Sequence, residues 1–203
     1  MLGKNIMTYD GKIEIVVASS VYGYEDQLDK ICGLFEQMGY QPISSHYKTM
    51  PTDPSKSNME NCLVAVENAD AFFGVIRPFY GSGVIGDTSI THEEMKKAIA
   101  LKKPRWFVAH RDVRVARELF KQYWFMPDKS LNPDFTYQPT KLMDDIRVID
   151  MYNDTILNDI PPEERIGHWT DEFFTIKDIE KVIQTQFSKK ERIIDIIQKM
   201  KTL

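Results

Sequence analysis

Two adjacent glutamates, Glu93 and Glu94, open a helical pattern in the segment TSITHEEMKKAIALKKP, residues 88–104. At about 100° per residue, Glu94 lies on the flank of the apolar stripe of this helix, whereas Glu93 lies nearly opposite it. Glu93 is therefore expected to face water and to pair with Lys97 one turn later. Glu94 points along the edge where a pocket above a sheet would open. A carboxylate in such a pocket can stabilise a developing positive charge or attack as a nucleophile.

The same residues also match a helix cap. Thr91 followed three residues later by Glu94 is the capping-box pattern, in which a hydroxyl and a carboxylate satisfy backbone N–H groups at a helix start. Caps are far commoner than catalytic carboxylates, and short motifs often arise without chemistry. The two roles do not exclude each other, because both put the carboxylate at the helix N-terminus. His92, beside the glutamates, is expected to face water.

Strands and helices alternate through the first 125 residues. The predicted strands are KIEIVVASS (strand from Ile13 to Ala18), QPISS, DAFFGVIRPF and PRWFVAH. The predicted helices are YEDQLDKICGLFEQMGY, MENCLVAVENA, ITHEEMKKAIALKK and RDVRVARELFKQYWF. This alternation implies right-handed crossovers and a mostly parallel sheet covered on both faces. The predicted fold is a flavodoxin-like or Rossmann-like α/β sandwich of three layers with about five strands.

The pattern weakens after residue 125. The stretch 126–165 is rich in Pro and Asn near its start and reads as an insertion, within which DDIRVIDMYND could be a fifth strand or a helical turn. The segment WTDEFFTIKDIEKVIQTQF predicts a short element and then a helix. We predict one α/β domain over residues 1–187 and a C-terminal amphipathic helix over residues 188–203, with Ser188 as its N-cap.

Ligand sites in an open parallel sheet lie at the carboxyl ends of the strands. That rule gathers four loops, ASSVYGYE, SSHYKT, RPFYGSGVIGDTS and HRDVR. The serines could offer hydroxyls and N–H groups to a phosphate or ribose, or only solvate their loop, and the tyrosines could stack on a base or pack locally. No GxGxxG motif follows the first strand, which disfavours a conventional dinucleotide redox site. The candidate nucleotide-binding residues are Ser19, Ser20, Tyr22, Arg77, Tyr80, Ser82 and Thr91.

Composition and charge exclude several classes of protein. A net charge of -4 with dispersed Lys and Arg lacks the basic face that nucleic acid requires, so no nucleic-acid partner is expected. The four histidines are scattered without spaced Cys or acidic clusters, so neither a metal nor another cofactor is expected. Cys32 and Cys62 fall among apolar neighbours, as reduced core thiols do, which fits a cytoplasmic location. No apolar run approaches about 18 residues, so no membrane partner is expected.

Three segments in this order resemble the domain of unknown function 4062 family: VVASSVYGYEDQLDKICGLFEQMGYQPI, ENADAFFGVIRPFYGSG and SITHEEMKKAIALKKPRWFVA. In that family one strand ends in SS and an aromatic residue, an apolar strand leads into RYGS, and S-x-T-x-x-E opens a helix. The resemblance extends from Ile13 to Phe187.

The family is similar to Toll/interleukin-1-receptor domains and to nucleoside 2-deoxyribosyltransferases, which share a flavodoxin-like fold. In both groups a glutamate lies four residues before a small residue on the helix after the third strand. Glu94 and Ala98 occupy those positions here, and Glu93 does not. One position departs from the pattern, because Phe79 stands where the family sets an arginine directly before its YG, and Arg77 lies two residues earlier.

The resemblance implies a nucleotide N-glycosidase with Glu94 as its catalytic acid residue. Such an enzyme would be similar to NAD glycohydrolases or nucleoside ribosyltransferases, with NAD or a related nucleotide as substrate, in bacterial defence or signalling. The alternative is a non-catalytic module of the same fold that senses nucleotides or binds proteins. In either case the chain could act as a homo-oligomer or with a separate partner protein.

Overall fold

Five strands of the chain form one parallel sheet. The computed structural model describes residues 11–81, 83–124, 126, 128, 130 and 132–201. The strands within these ranges are β1 (Glu14–Ser19), β2 (Gln41–Ile43), β3 (Ala71–Ile76), β4 (Val84–Ile85), β5 (Thr88–Ser89), β6 (Arg105–His110) and β7 (Thr170–Phe173). The sheet order is β2-β1-β3-β6-β7 with every pair parallel, and β4 and β5 form a separate antiparallel hairpin. With the hairpin set aside, this is the flavodoxin-like strand order, and the predicted fold class is confirmed.

The helices lie on both faces of the sheet. They are α1 (Glu25–Gln37), α2 (Asn58–Asn68), α3 (Ile90–Ala100), α4 (Arg111–Trp124), α5 (Arg147–Thr155), α6 (Ile176–Phe187) and α7 (Lys190–Met200). Successive residues along a strand point to opposite faces of the sheet, so the residues of β1 and β3 alternate between two core layers, one on each face.

The face covered by α1, α6 and α7 has an aromatic centre. The ring of Phe35 meets those of Phe73 and Phe187 edge-on, with centroids 5.4 and 5.0 Å apart. Ile193 of α7 is also fully buried in this layer. The helix predicted over residues 188–203 therefore contributes to the main core.

The opposite face carries α2, α3, α4 and α5. Val66, Met95, Val113 and Val148, one from each helix, are at most 1% exposed. Helix α5 lies within the stretch 126–165, so part of that stretch packs directly on the sheet. Its status as an insertion stays a prediction.

Three local predictions differ from the structure. DDIRVIDMYND forms the helix α5, and the fifth strand is β7 from WTDEFF. The loop after β3 contains the hairpin β4–β5, which was not predicted. Ser188 is the last residue of the turn that ends α6, with its N–H donated to the Gln184 carbonyl, and Lys189 precedes α7. The predicted N-cap at Ser188 is therefore wrong, because Ser188 is the C-cap of α6 and Lys189 is the N-cap of α7.

Candidate functional site

A cavity of about 570 Å³ opens at the carboxyl edge of the sheet. The ends of β1 and β2, the loop after β3 and the first turns of α2 and α3 form its wall. Several predicted site residues meet there. They are Ser19, Ser20, Tyr22, Tyr80, Thr91 and Glu94. Ser82 lies outside the described residues.

Glu94 is the acidic group of this cavity. It is 8% exposed, and it is the only carboxylate among the described residues that line the wall. Burial raises the pKa of Glu94 to about 7, against a smaller lowering by a hydrogen bond from the Cys62 thiol. Burial and the neighbouring Glu94 raise the pKa of Cys62 to about 12, so the thiol keeps its proton and can donate it. Burial therefore opposes ionisation of this carboxyl group.

The N-cap of the helix α3 differs from the one predicted from the sequence. Its N-cap is Ser89, whose Oγ accepts a hydrogen bond from the His92 backbone N–H at 3.3 Å. The predicted capping box of Thr91 and Glu94 is therefore wrong, because the N-cap lies two residues earlier, at Ser89, and the helix begins at Ile90. Thr91 lies in the first turn and lines the cavity. Glu94 is free of the capping role.

Glu93 has different partners from those predicted. Its Oε1 accepts hydrogen bonds from Thr88 Oγ1 at 2.7 Å and from Lys96 Nζ at 3.2 Å. The hydrogen bond from Thr88 is the largest cause that lowers the pKa of Glu93. The predicted pair with Lys97 is wrong, because Lys97 Nζ turns to Glu67 of α2 at 2.6 Å.

Ser19 ends β1, and Ser20 joins the loop after β1 to the loop after β3. Ser19 Oγ donates to the Ser20 carbonyl at 3.3 Å, and Ser20 Oγ donates to the Phe79 carbonyl at 2.7 Å. Gly81 makes this approach feasible, since its φ is +93° and an added Cβ would lie 3.2 Å from the Ser20 Cβ. Both hydroxyls thus give their protons to the backbone. Both residues line the cavity, and their hydroxyl oxygens retain lone pairs that can accept hydrogen bonds.

Arg77 braces the same loops from outside the cavity. Its Nη1 donates to the carbonyls of Ser20 at 2.8 Å and Tyr22 at 3.1 Å. The guanidinium lies 4.4 Å from the ring centroid of Tyr24 and 5.2 Å from that of Phe79. Arg77 is 8% exposed and is not among the described residues that line the wall. Its contacts order the loop after β1.

A chain of hydrogen bonds runs from Ser89 and Tyr80 in the wall through the buried His92 to Asp154 of α5. His92 Nε2 is 2.8 Å from Asp154 Oδ2, and Nδ1 is 2.8 Å from the Tyr80 hydroxyl. A carboxylate only accepts, so Nε2 carries a proton and donates it to Asp154, while Nδ1 and the Tyr80 hydroxyl share the second hydrogen bond. The Tyr80 oxygen in turn accepts from the Ser89 N–H at 3.2 Å. The expectation that His92 faces water is wrong, because the residue is 3% exposed.

Tyr22 and Tyr80 therefore differ as candidates for stacking on a base. Tyr80 is 1% exposed and its hydroxyl is engaged, whereas Tyr22 is 88% exposed at the rim. A free ring face at the rim is the better of the two for contact with a planar ligand. The role of each in binding stays a prediction.

The loop after β2 supplies residues that the sequence analysis did not single out. Asn61 of α2 holds this loop, since its side chain accepts from the Asp53 N–H at 2.7 Å and donates to the Asp53 carbonyl at 3.1 Å. Lys48 also lines the cavity and is the only cation among the described residues of the wall. The sequence did contain one indication of this position, because Lys48 belongs to SSHYKT, one of the four loops predicted at the carboxyl edge of the sheet.

The strand order defines a flavodoxin-like α/β protein, and the cavity lies at the carboxyl edge of its sheet. The chain belongs to the family described as domain of unknown function 4062, whose family model matches residues 14–188. The family resemblance seen in the sequence is thereby confirmed.

One solved structure is similar in outline. It is a 2-desoxiribosyltransferase from Leishmania mexicana, 15% identical, with a TM-score of 0.40 over 70% of this chain and 97% of that chain. Among curated proteins, none matches this chain. The resemblance to Toll/interleukin-1-receptor domains stays a prediction. No helix in the described ranges is long and apolar enough to cross a bilayer.

Proposed function

We propose that the protein breaks the N-glycosidic bond of a nucleoside or nucleotide and that Glu94 is the reacting carboxylate. The observation that supports this proposal best is the position of Glu94, a buried carboxyl group in the wall of a cavity at the carboxyl edge of the sheet. A buried acid with a raised pKa in a cleft is characteristic of functional sites. The motif that carries the family resemblance contains the same residue.

The chemistry follows from the charge that develops when the bond breaks. The C–N electron pair leaves with the base, and the sugar approaches an oxocarbenium ion. An ionised Glu94 beside the anomeric carbon either stabilises that cation until water attacks or forms an ester bond with it, which water or another base then breaks. Removal from water strengthens the attraction between carboxylate and cation. The ionised form is the active one, so activity is expected to fall as the pH drops below about 7.

The acceptor oxygens of Ser19 and Ser20 suit sugar hydroxyls, which are donors. They would hold the ribose against the wall that carries Glu94. Nucleosides, nucleotides and dinucleotides such as NAD all contain this sugar. From the family resemblance we also propose a cytoplasmic role in bacterial defence or signalling, alone, as a homo-oligomer or with a separate partner protein.

The test is base release by concentrated protein from a panel of nucleosides, nucleotides and NAD. Glu94→Gln keeps the shape and removes the charge, and is expected to lower the rate at least about 100-fold. Glu93→Gln is the matched control one residue earlier, and is expected to keep most of the activity. Equal rates for wild type and Glu94→Gln would contradict the assignment. Release from no substrate, even at high protein concentration, would favour a non-catalytic module that senses nucleotides.

A further inference from the structure

The electrostatics of the cavity restrict the phosphate content of its ligand. Among the described residues of the wall, Glu94 is the only acid and Lys48 the only base. A diphosphate carries two negative charges and needs several donors, which proteins usually supply from helix N-termini, backbone N–H groups and arginines.

The N-terminus of α1 is already acidic. Its first turn carries Glu25 and Asp26, and Glu25 Oε1 accepts the Gly23 N–H at 3.1 Å. In a dinucleotide fold a diphosphate usually binds at the loop after β1, and here Glu25 takes one N–H group of that loop and adds negative charge beside it. A second anion there would be repelled.

At the N-termini of α2 and α3, several donors are bound within the chain. In α2, Ser57 and Glu60 form a capping box, with Ser57 N–H to Glu60 Oε2 at 2.7 Å and Glu60 N–H to Ser57 Oγ at 3.2 Å. In α3, the His92 N–H binds Ser89 Oγ and the Ser89 N–H binds the Tyr80 hydroxyl. These donors are satisfied without a ligand.

The nearest arginine is also engaged. Arg77 donates to the carbonyls of Ser20 and Tyr22. Its guanidinium also lies close to the aromatic rings of Tyr24 and Phe79. Recruiting it to a phosphate would release both carbonyls and open the loop after β1. The hydroxyls of Ser19 and Ser20 offer acceptors to the cavity, which repel phosphate oxygens and attract sugar hydroxyls.

Lys48 remains. It lies at the end of the turn after β2, where Thr49 N–H donates to the Ser44 carbonyl at 3.2 Å. Its side chain is exposed, and within the described part of the chain its ammonium has no carboxylate partner. A lysine ammonium is a point charge with three donors, enough for a single phosphate.

We infer that the cavity binds a nucleoside carrying no more than one phosphate, with Lys48 as the partner of that phosphate, and that it selects against dinucleotides. This inference rests on the proposed function for the sugar position and names the substrate class of the same site. The ribose lies between Glu94 and the serines, and the phosphate extends toward Lys48 at the loop after β2.

Calorimetry on the whole chain tests the inference without requiring activity. The probes are adenosine and cytidine, their 5′-monophosphates, and NAD. At low salt a monophosphate is expected to bind about three- to fivefold tighter than its nucleoside, as one exposed ion pair allows, and NAD is expected to bind more weakly than adenosine 5′-monophosphate. Added salt should reduce the advantage of the monophosphate.

Lys48→Gln should remove that advantage and leave nucleoside binding unchanged. Lys102→Gln is a matched control, because Lys102 is likewise an exposed lysine with positive φ, 51° against 59° for Lys48, and does not line the cavity. NAD binding as tightly as the monophosphate, an unchanged phosphate preference in Lys48→Gln, or no binding of any probe would each overturn the inference.

The outcomes separate this inference from the proposed function. Base release with NAD as the best substrate would support the reaction and overturn the substrate class. A preference for monophosphates that depends on Lys48, without base release, would support the ligand class and contradict the reaction.

Discussion

Replacing Glu94 by glutamine is expected to stabilise the protein at alkaline pH while it removes activity. The folded-state pKa of Glu94 is raised from 4.5 to about 7, so the folded protein binds more protons than the unfolded chain between these values. Stability therefore falls as the pH rises through this window, and the full loss is present above about 7. The rise in pKa corresponds to about 3 kcal/mol, at about 1.4 kcal/mol for each pH unit. Glutamine has the same shape and carries no such penalty.

Urea unfolding between about pH 4.5 and pH 8.5 measures the effect. The free energy of unfolding of Glu94→Gln should match that of wild type at the acid end and exceed it by about 3 kcal/mol at the alkaline end. Glu93→Gln is a control for which the change in the free energy of unfolding has the opposite sign. The pKa of Glu93 is lowered, chiefly by the hydrogen bond from Thr88. Its ionised form stabilises the folded state above the ordinary pKa, so this variant should lose about 0.5 kcal/mol at neutral pH. A Glu94→Gln protein no more stable than wild type at about pH 8.5 would refute the desolvation argument.

Three further substitutions test individual contacts. Cys62→Ala removes the hydrogen bond that lowers the pKa of Glu94, so the pH midpoint of base release, or of the stability loss, should move upward. Gly81→Ala adds a Cβ at φ +93° and 3.2 Å from the Ser20 Cβ, and should lower the free energy of unfolding by about 1–3 kcal/mol in urea. His92→Gln cannot keep both hydrogen bonds of the buried imidazole, and should lose about 2 kcal/mol by the same measurement; an unchanged value would contradict the buried chain.

Burial explains which strands could be predicted from the sequence. In β1 and β3 almost every residue is buried, so each appears as an uninterrupted apolar run. The edge strand β7 has the sequence TDEF, of which only Phe173 is buried. Four residues with three polar side chains give neither an apolar run nor a clear alternation. Sheet pairing with β6, which is a tertiary contact, makes this segment a strand.

The site was predictable where the evidence was local. Helical spacing placed Glu94 beside the apolar stripe and Glu93 away from it, and the structure confirms the difference in burial. His92 was misassigned because its partner Asp154 lies 62 residues along the chain, in a stretch whose fold the sequence did not reveal. The cap was misassigned because Ser89 and Thr91 are both good N-cap residues, and only the backbone geometry decides between them.

The cap at Ser89 strengthens the functional interpretation of Glu94. A carboxylate needed as a cap would be explained by helix stability alone, but Ser89 already satisfies the helix start and Glu93 already accepts the surface hydrogen bonds. No structural role in the described residues then requires an acid at position 94, while its burial costs about 3 kcal/mol when it ionises. A glutamine or a leucine would remove that cost, and residues that reduce stability in this way are typically those that a site needs for binding or catalysis. The energetic cost of Glu94 is therefore consistent with the proposal that its charge is used in the cavity.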